Sequence, residues 1–251
     1  MAQAMSLEEY LGQGGKLTAP SNVPPRYRGE LMRMMSSFVD SELAGSAGFA
    51  EAINWAPGIK ERIAASRIVL EKADHADRVL DLMSSFGTDK ARYEQAHDWA
   101  ARGPRDAEIG ARRQGGDMRL SVFHYPLTGW EDAVVMNVLM GLATGVQLLE
   151  LVRCSYTPFA EVLREIAPCE ARHAELGLEG LQRIAGSEDG LAVARASIAY
   201  WMPRVAETFG QAKSARFETL KRMGLRHETN EALLADWRTL AERQLARLNL
   251  I

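Results

Sequence analysis

Cysteine is nearly absent from this chain of 251 residues: Cys154 and Cys169 are the only two. Two thiols make no disulfide framework and, alone, no zinc site, so two buried free thiols in a reducing cytoplasm are expected. An excess of base is missing as well. The 30 Lys and Arg stand against 33 Asp and Glu, a net charge of −3. A nucleic-acid surface needs clustered positive charge to displace counterions, so no nucleic-acid partner is expected. No run of about 18 apolar residues stands out, and no membrane span is expected. The opening MAQAMSLEEYLGQGGKLTAP has neither the basic nor the apolar region of a secretory leader. Gly-rich phosphate loops, nucleophile elbows, internal repeats and low-complexity tracts are also lacking.

What remains is helical. Apolar residues make up 47% of the chain, enough for a real core, and they recur at steps of three and four with few strand-like alternations. The Gly- and Pro-rich stretch 1–25 reads as a loose arm, and 26–251 as a single helical domain. Helices are expected over 27–47, from Pro57 to Gly87, over 129–154, from 156 or 158 to 186, and from the Ser187 cap to about 210. Pro168 and Pro203 are expected to distort the helices that contain them. Two more helices are expected near 212–223 and 229–247. Between the second and third, 88–128 holds a short helix and an irregular connection. Four long helices with a long crossover in the middle imply an all-α fold, a ferritin-like four-helix bundle with additional C-terminal helices.

Each long helix carries an ionisable residue within its apolar stripe. Glu42 lies with Leu31, Met35 and Phe38. Lys72 and His75 lie with Ile68 and Val79, Asp132 with Val135 and Leu139, and Glu170 and His173 with Leu163 and Ile166. Burying one charge is costly unless it is paired or bound to metal, and four helices that share the fault point to a common site. Glu-x-x-His on one bundle helix supplies a carboxylate and an imidazole to one point. Glu170-Ala171-Arg172-His173 has that form. In the stretch LEKADHADRVL the corresponding pair is Lys72 and His75, and Glu71 falls about 100° round the helix, on a face with Arg67, Asp74 and Arg78 that reads as solvated. Asp132 alone would read as an acid near a helix start. The run Arg102, Arg105, Arg112 and Arg113 is either a solvated face or a contact for a CoA phosphate or a partner. The segment SIAYWMPRVAETF reads as apolar surface available to another subunit.

The segments YRGELMRMMSSFVDSELAG, SVFHYPLTGWEDA, VRCSYTPFAEVLREIAPCEARH and YWMPRVAETFG resemble the oxygenase-subunit family of the phenylacetyl-CoA multicomponent monooxygenase, or phenylacetyl-CoA epoxidase, over 27–210. The resemblance implies a ferritin-like bundle that binds two irons, activates dioxygen and epoxidises an aryl-CoA thioester. A reductase and a related ferritin-like subunit would be its partners, in a homo- or hetero-oligomer. By position it assigns metal ligands to Glu42, His75, Asp132, Glu170 and His173, with Lys72 where the family has Glu. Three carboxylates against one ammonium leave charge for one divalent ion rather than two. Three metal states therefore stand open: two irons, a single iron, manganese or zinc with Lys72 in place of the other, or no metal and a network of Lys72 with Glu42 and Glu170; a neutral Lys72 acting as a ligand is a further option. The corresponding functions are an oxygenase, or a non-catalytic bundle that acts as a structural or regulatory partner.

Overall fold

A computed structural model describes residues 5–113 and 116–251. The first four residues of the expected arm, and residues 114 and 115 of the expected connection, lie outside the described residues.

Pro24 and Pro25 start the first long helix because a missing N–H costs nothing in the first turn. With α1 at Leu7–Gly12, this helix is α2, Pro25–Ala52. Gly58 caps α3, Ile59–Ser84, and Gly87 follows its end with φ +94°, a conformation glycine adopts without strain. The crossover carries the short α4, Lys90–Glu94, and a 3₁₀ turn at Ser121–His124. Trp130–Leu151 forms α5 and Thr157–Ile184 forms α6. Pro168 lies within α6 and leaves the helix continuous. Ser187 caps α7, Glu188–Ala206, whose last turn tightens to 3₁₀ after Pro203. Then come α8, Ala215–Arg222, and α9, Asn230–Arg247, the latter capped by the Thr229 hydroxyl. Among the described residues there is no strand, only an isolated bridge between Leu17 and Tyr156.

The bundle is two helix pairs, α2 with α3 and α5 with α6, joined chiefly where α3 packs on α6. On its outer side α5 is covered by α7 and α9. Every residue from Asp132 to Ala143 is buried in consequence. By length and composition alone α5 could cross a membrane, contrary to the sequence expectation. Most of it is buried against other helices, as a central bundle helix would be.

Two expectations about the periphery need correction. The stretch read as a loose arm contains α1, opened by a Ser6/Glu9 capping box, and buries Leu11 and Leu17. Leu17 exchanges backbone bonds with Ser155 and Thr157, so the arm is tied to the α5–α6 turn. The apolar face of SIAYWMPRVAETF is not free for a partner: Ser197, Ile198, Trp201 and Val205 are buried in the core that α7 shares with α5.

Candidate functional site

Glu42 on α2, Lys72 and His75 on α3, and Glu170 and His173 on α6 are all buried. The α2–α3 pair aligns Glu42 with Lys72, and the α3–α6 contact brings Glu170 to the same level. Close approach is built into α2 at Gly45, where a Cβ would sit 3.4 Å from Lys72 Cδ and 3.3 Å from the Phe123 ring. Lys72 Nζ lies between two carboxylates, at 3.2 and 3.4 Å from the Glu42 oxygens and 3.1 and 3.2 Å from those of Glu170. Nδ1 of His75 donates to Glu170 Oε1 at 2.9 Å and stands 3.4 Å from Glu42 Oε2. Burial disfavours charge on Lys72 and on His75, yet the two carboxylates outweigh it in both. Lys72 is held above its ordinary range, and His75 is raised to about 9. Burial works against the Glu170 carboxylate as well, and Lys72 together with the two histidines more than compensates, holding its carboxyl well below the usual value.

A second group adjoins this one on the side where α3 meets α6. His173 Nε2 donates to Glu71 Oε2 at 2.6 Å, and Cys169 Sγ stands 3.7 Å from the same nitrogen. Glu71 therefore does not belong wholly to a solvated face. A bundle helix touches two neighbours, so its covered arc is wider than one stripe, and 100° from the Lys72 seam is the border with α6. Burial raises the Glu71 carboxyl, but the bond from His173, together with Cys169 and Arg67 beside it, outweighs burial and holds it below the usual range. Cys169, expected as an inert buried thiol, is half-buried. Its position one turn before His173 was the signal available in the sequence.

Asp132 is elsewhere. Its carboxylate accepts Arg105 through Nη1 at 2.9 Å and Nη2 at 2.8 Å, Ser197 Oγ at 2.6 Å, Trp201 Nε1 at 2.8 Å and the Thr128 backbone N–H at 3.1 Å. Burial raises this carboxyl, and those donors outweigh it and hold it low. Asp132 thus stands apart from the other four expected ligands and closes the start of α5 against α7. Where α5 meets the central site it offers Asn137, whose Nδ2 donates to the His173 carbonyl at 3.0 Å, and Gly141.

A family model described as phenylacetic acid catabolic protein matches residues 5–251, nearly the whole chain. The chain belongs to the phenylacetic acid catabolic protein family. It is also 25% identical over 190 residues to one of the subunits of 1,2-phenylacetyl-CoA epoxidase from Escherichia coli (strain K12), across 75% of this chain and 56% of that protein. The chain thus spans about half the length of this curated relative.

A carboxylate-bridged pair of metal ions in a four-helix bundle draws a Glu from each of two helices and a Glu-x-x-His from each of the others. In this member of the phenylacetic acid catabolic protein family, α2 and α6 supply those groups. The α3 helix supplies Lys72 and His75, and α5 faces the centre with an amide and a glycine. The central cavity beside Lys72 and Glu170 measures about 30 Å³, room for about two waters. This donor set does not fit two irons.

Beside the centre, α2, α5, α8 and the crossover enclose a cleft of about 400 Å³ that reaches Glu42. Apolar Met34, Phe38 and Phe217 line it together with Arg33, Arg113 and Arg216. The run of four arginines read from the sequence does not form one patch. Arg102 caps the Ala44 carbonyl, Arg105 holds Asp132, and of the four only Arg113 lines this cleft.

Proposed function

We propose that this protein serves phenylacetic acid catabolism as a non-catalytic ferritin-like subunit, with its centre closed by Lys72. One observation carries the reading: the ammonium lies 3.1–3.4 Å from all four oxygens of Glu42 and Glu170. With His75 protonated, two cations meet two anions, and the buried charge balances with the chain's own groups. Lys72, His75 and Glu170 tie α3 to α6, and Lys72 with Glu42 ties α3 to α2. The bundle acts as a rigid body that docks against a related ferritin-like subunit, with a reductase serving the assembly. The cleft beside Glu42, apolar within and edged by arginines, takes an aryl-CoA thioester: the aryl group against Phe38 and Phe217, the CoA phosphates toward Arg33 and Arg113.

The competing reading is an oxygenase that holds one iron or manganese. It has support in Glu42, His75 and Glu170, which offer ligand atoms within 4.8 Å of one another. Lys72→Glu separates the two. In the closed-centre reading three buried carboxylates crowd one point, stability falls by about 3–5 kcal/mol, and protein loaded anaerobically with ferrous ion retains none after desalting. Stoichiometric iron in the unsubstituted protein, or iron gained by Lys72→Glu with stability restored, overturns it.

A further inference from the structure

The outer group on α3 and α6 has the chemistry of a different cation. We propose that Glu71, Cys169 and His173 form a mononuclear site for zinc, at the edge of the bundle and distinct from the Lys72 centre. The three side chains offer ligand atoms that all lie within 4.8 Å of one another. Cys169 and His173 are four residues apart on one helix and present sulfur and nitrogen to the same side. Their Sγ–Nε2 separation is 3.7 Å. Zn–S near 2.3 Å and Zn–N near 2.0–2.1 Å at a tetrahedral angle require about 3.5 Å. The Glu71 oxygen at 2.6 Å from Nε2 must open by roughly 0.7 Å to share an ion with it. Glu71 has one-third of its side chain exposed, 32%, so it has room to move and the ion has a way in.

A second observation points to the same ligand. His173 Nδ1 is buried and without a hydrogen-bond partner among the described residues, although Glu170 Oε1 is 3.4 Å away. At present the ring turns its other nitrogen to Glu71. A cation on Nε2 places the ring proton on Nδ1, where Glu170 accepts it, the arrangement of a carboxylate–histidine–metal triad. Sulfur with imidazole and a single carboxylate suits zinc better than iron in an oxygen-rich site. The fourth position, toward solvent, takes water. On binding, the Cys169 thiol gives its proton to solvent and forms a thiolate–zinc bond, and zinc stays divalent throughout. The site fastens α3 to α6 just outside the Lys72 clamp.

This inference does not rest on the non-catalytic reading, and its test is independent of iron. The reduced full-length protein is titrated with zinc against a chromophoric chelator and, separately, with cobalt(II). The expected results are one zinc per chain, a thiolate-to-cobalt charge-transfer band in the near ultraviolet, and protection of Cys169 from alkylation that a chelator reverses. Cys154, fully buried, serves as the internal reference. Cys169→Ser removes the cobalt band and weakens zinc at least tenfold, and Glu71→Gln weakens it by a smaller factor with the band retained. Thermal melts without metal, matched to the unsubstituted protein, establish that both variants fold. No stoichiometric zinc in the reduced protein, or zinc affinity unchanged in Cys169→Ser, overturns the proposal. A cobalt spectrum without thiolate character also overturns it, because it places the ion on Glu42, His75 and Glu170 instead.

Discussion

An ammonium offers three N–H donors, and in Lys72 these face two carboxylates within 3.4 Å. The pairing explains how a lysine tolerates burial in a bundle core: desolvation alone would push its proton off, and the two anions hold it on. His75 is the more sensitive reporter. Its folded value of about 9 stands above the 6.5 of a free imidazole, so the protonated form favours the folded state. This contribution is complete below about 6.5 and disappears as the pH climbs through 9. Urea midpoints measured between pH 6 and pH 10 should therefore fall across this window in the unsubstituted protein. The fall attributable to this group should be absent in His75→Gln. A metal on His75 would hold the ring neutral at neutral pH and reverse the trend.

At the scale of elements, α5 decides the geometry of the site by what it omits. Where α5 crosses α6, a Cβ on Gly177 would meet Asn137 Nδ2 at 2.6 Å and Val138 Cγ2 at 3.0 Å, and one on Gly141 would meet Ala174 Cβ at 3.0 Å. The close crossing sets the Asn137 amide on the His173 carbonyl and so fixes the height of α6 beside Lys72. Gly177→Val should force the helices apart and cost about 1–3 kcal/mol, read as a lower denaturant midpoint at unchanged m-value. The burial of α5 also explains why its stripe is hard to read from sequence. A helix buried all round has no polar face to calibrate its stripe, and five residues separate Asp132 from Asn137, roughly 140° of rotation. Asp132 turns to α7 and Arg105, and Asn137 to α6.

Across the whole molecule, the cleft of about 400 Å³ connects the charged centre to solvent past arginines from three different segments: Arg33 on α2, Arg113 on the crossover and Arg216 on α8. Arg216 is already engaged by Glu30. Arg113 bonds the Met118 carbonyl and the Ser37 hydroxyl, whereas Arg33 is exposed and lines the cleft. Under the proposed aryl-CoA reading of this cleft, Arg33→Glu should weaken binding of an aryl-CoA thioester about tenfold at low ionic strength, with the loss shrinking as salt is added. A salt-independent affinity, measured by calorimetry, would place the CoA elsewhere.

The sequence by itself determined the helices and the all-α class. Pro, Gly and Ser at Pro25, Gly87 and Ser187 mark ends through local backbone chemistry that needs no partner. It also determined that Glu42, Lys72, His75, Glu170 and His173 point inward, because α2, α3 and α6 each have one wet face against which a stripe can be read. Only the tertiary structure decided who meets whom. Periodicity gives the direction of a side chain around its own axis, whereas contact depends on the crossing and height of two helices. Those crossings put Glu71 on His173, carried Asp132 to Arg105, and set the Lys72 ammonium between two carboxylates contributed by different helices.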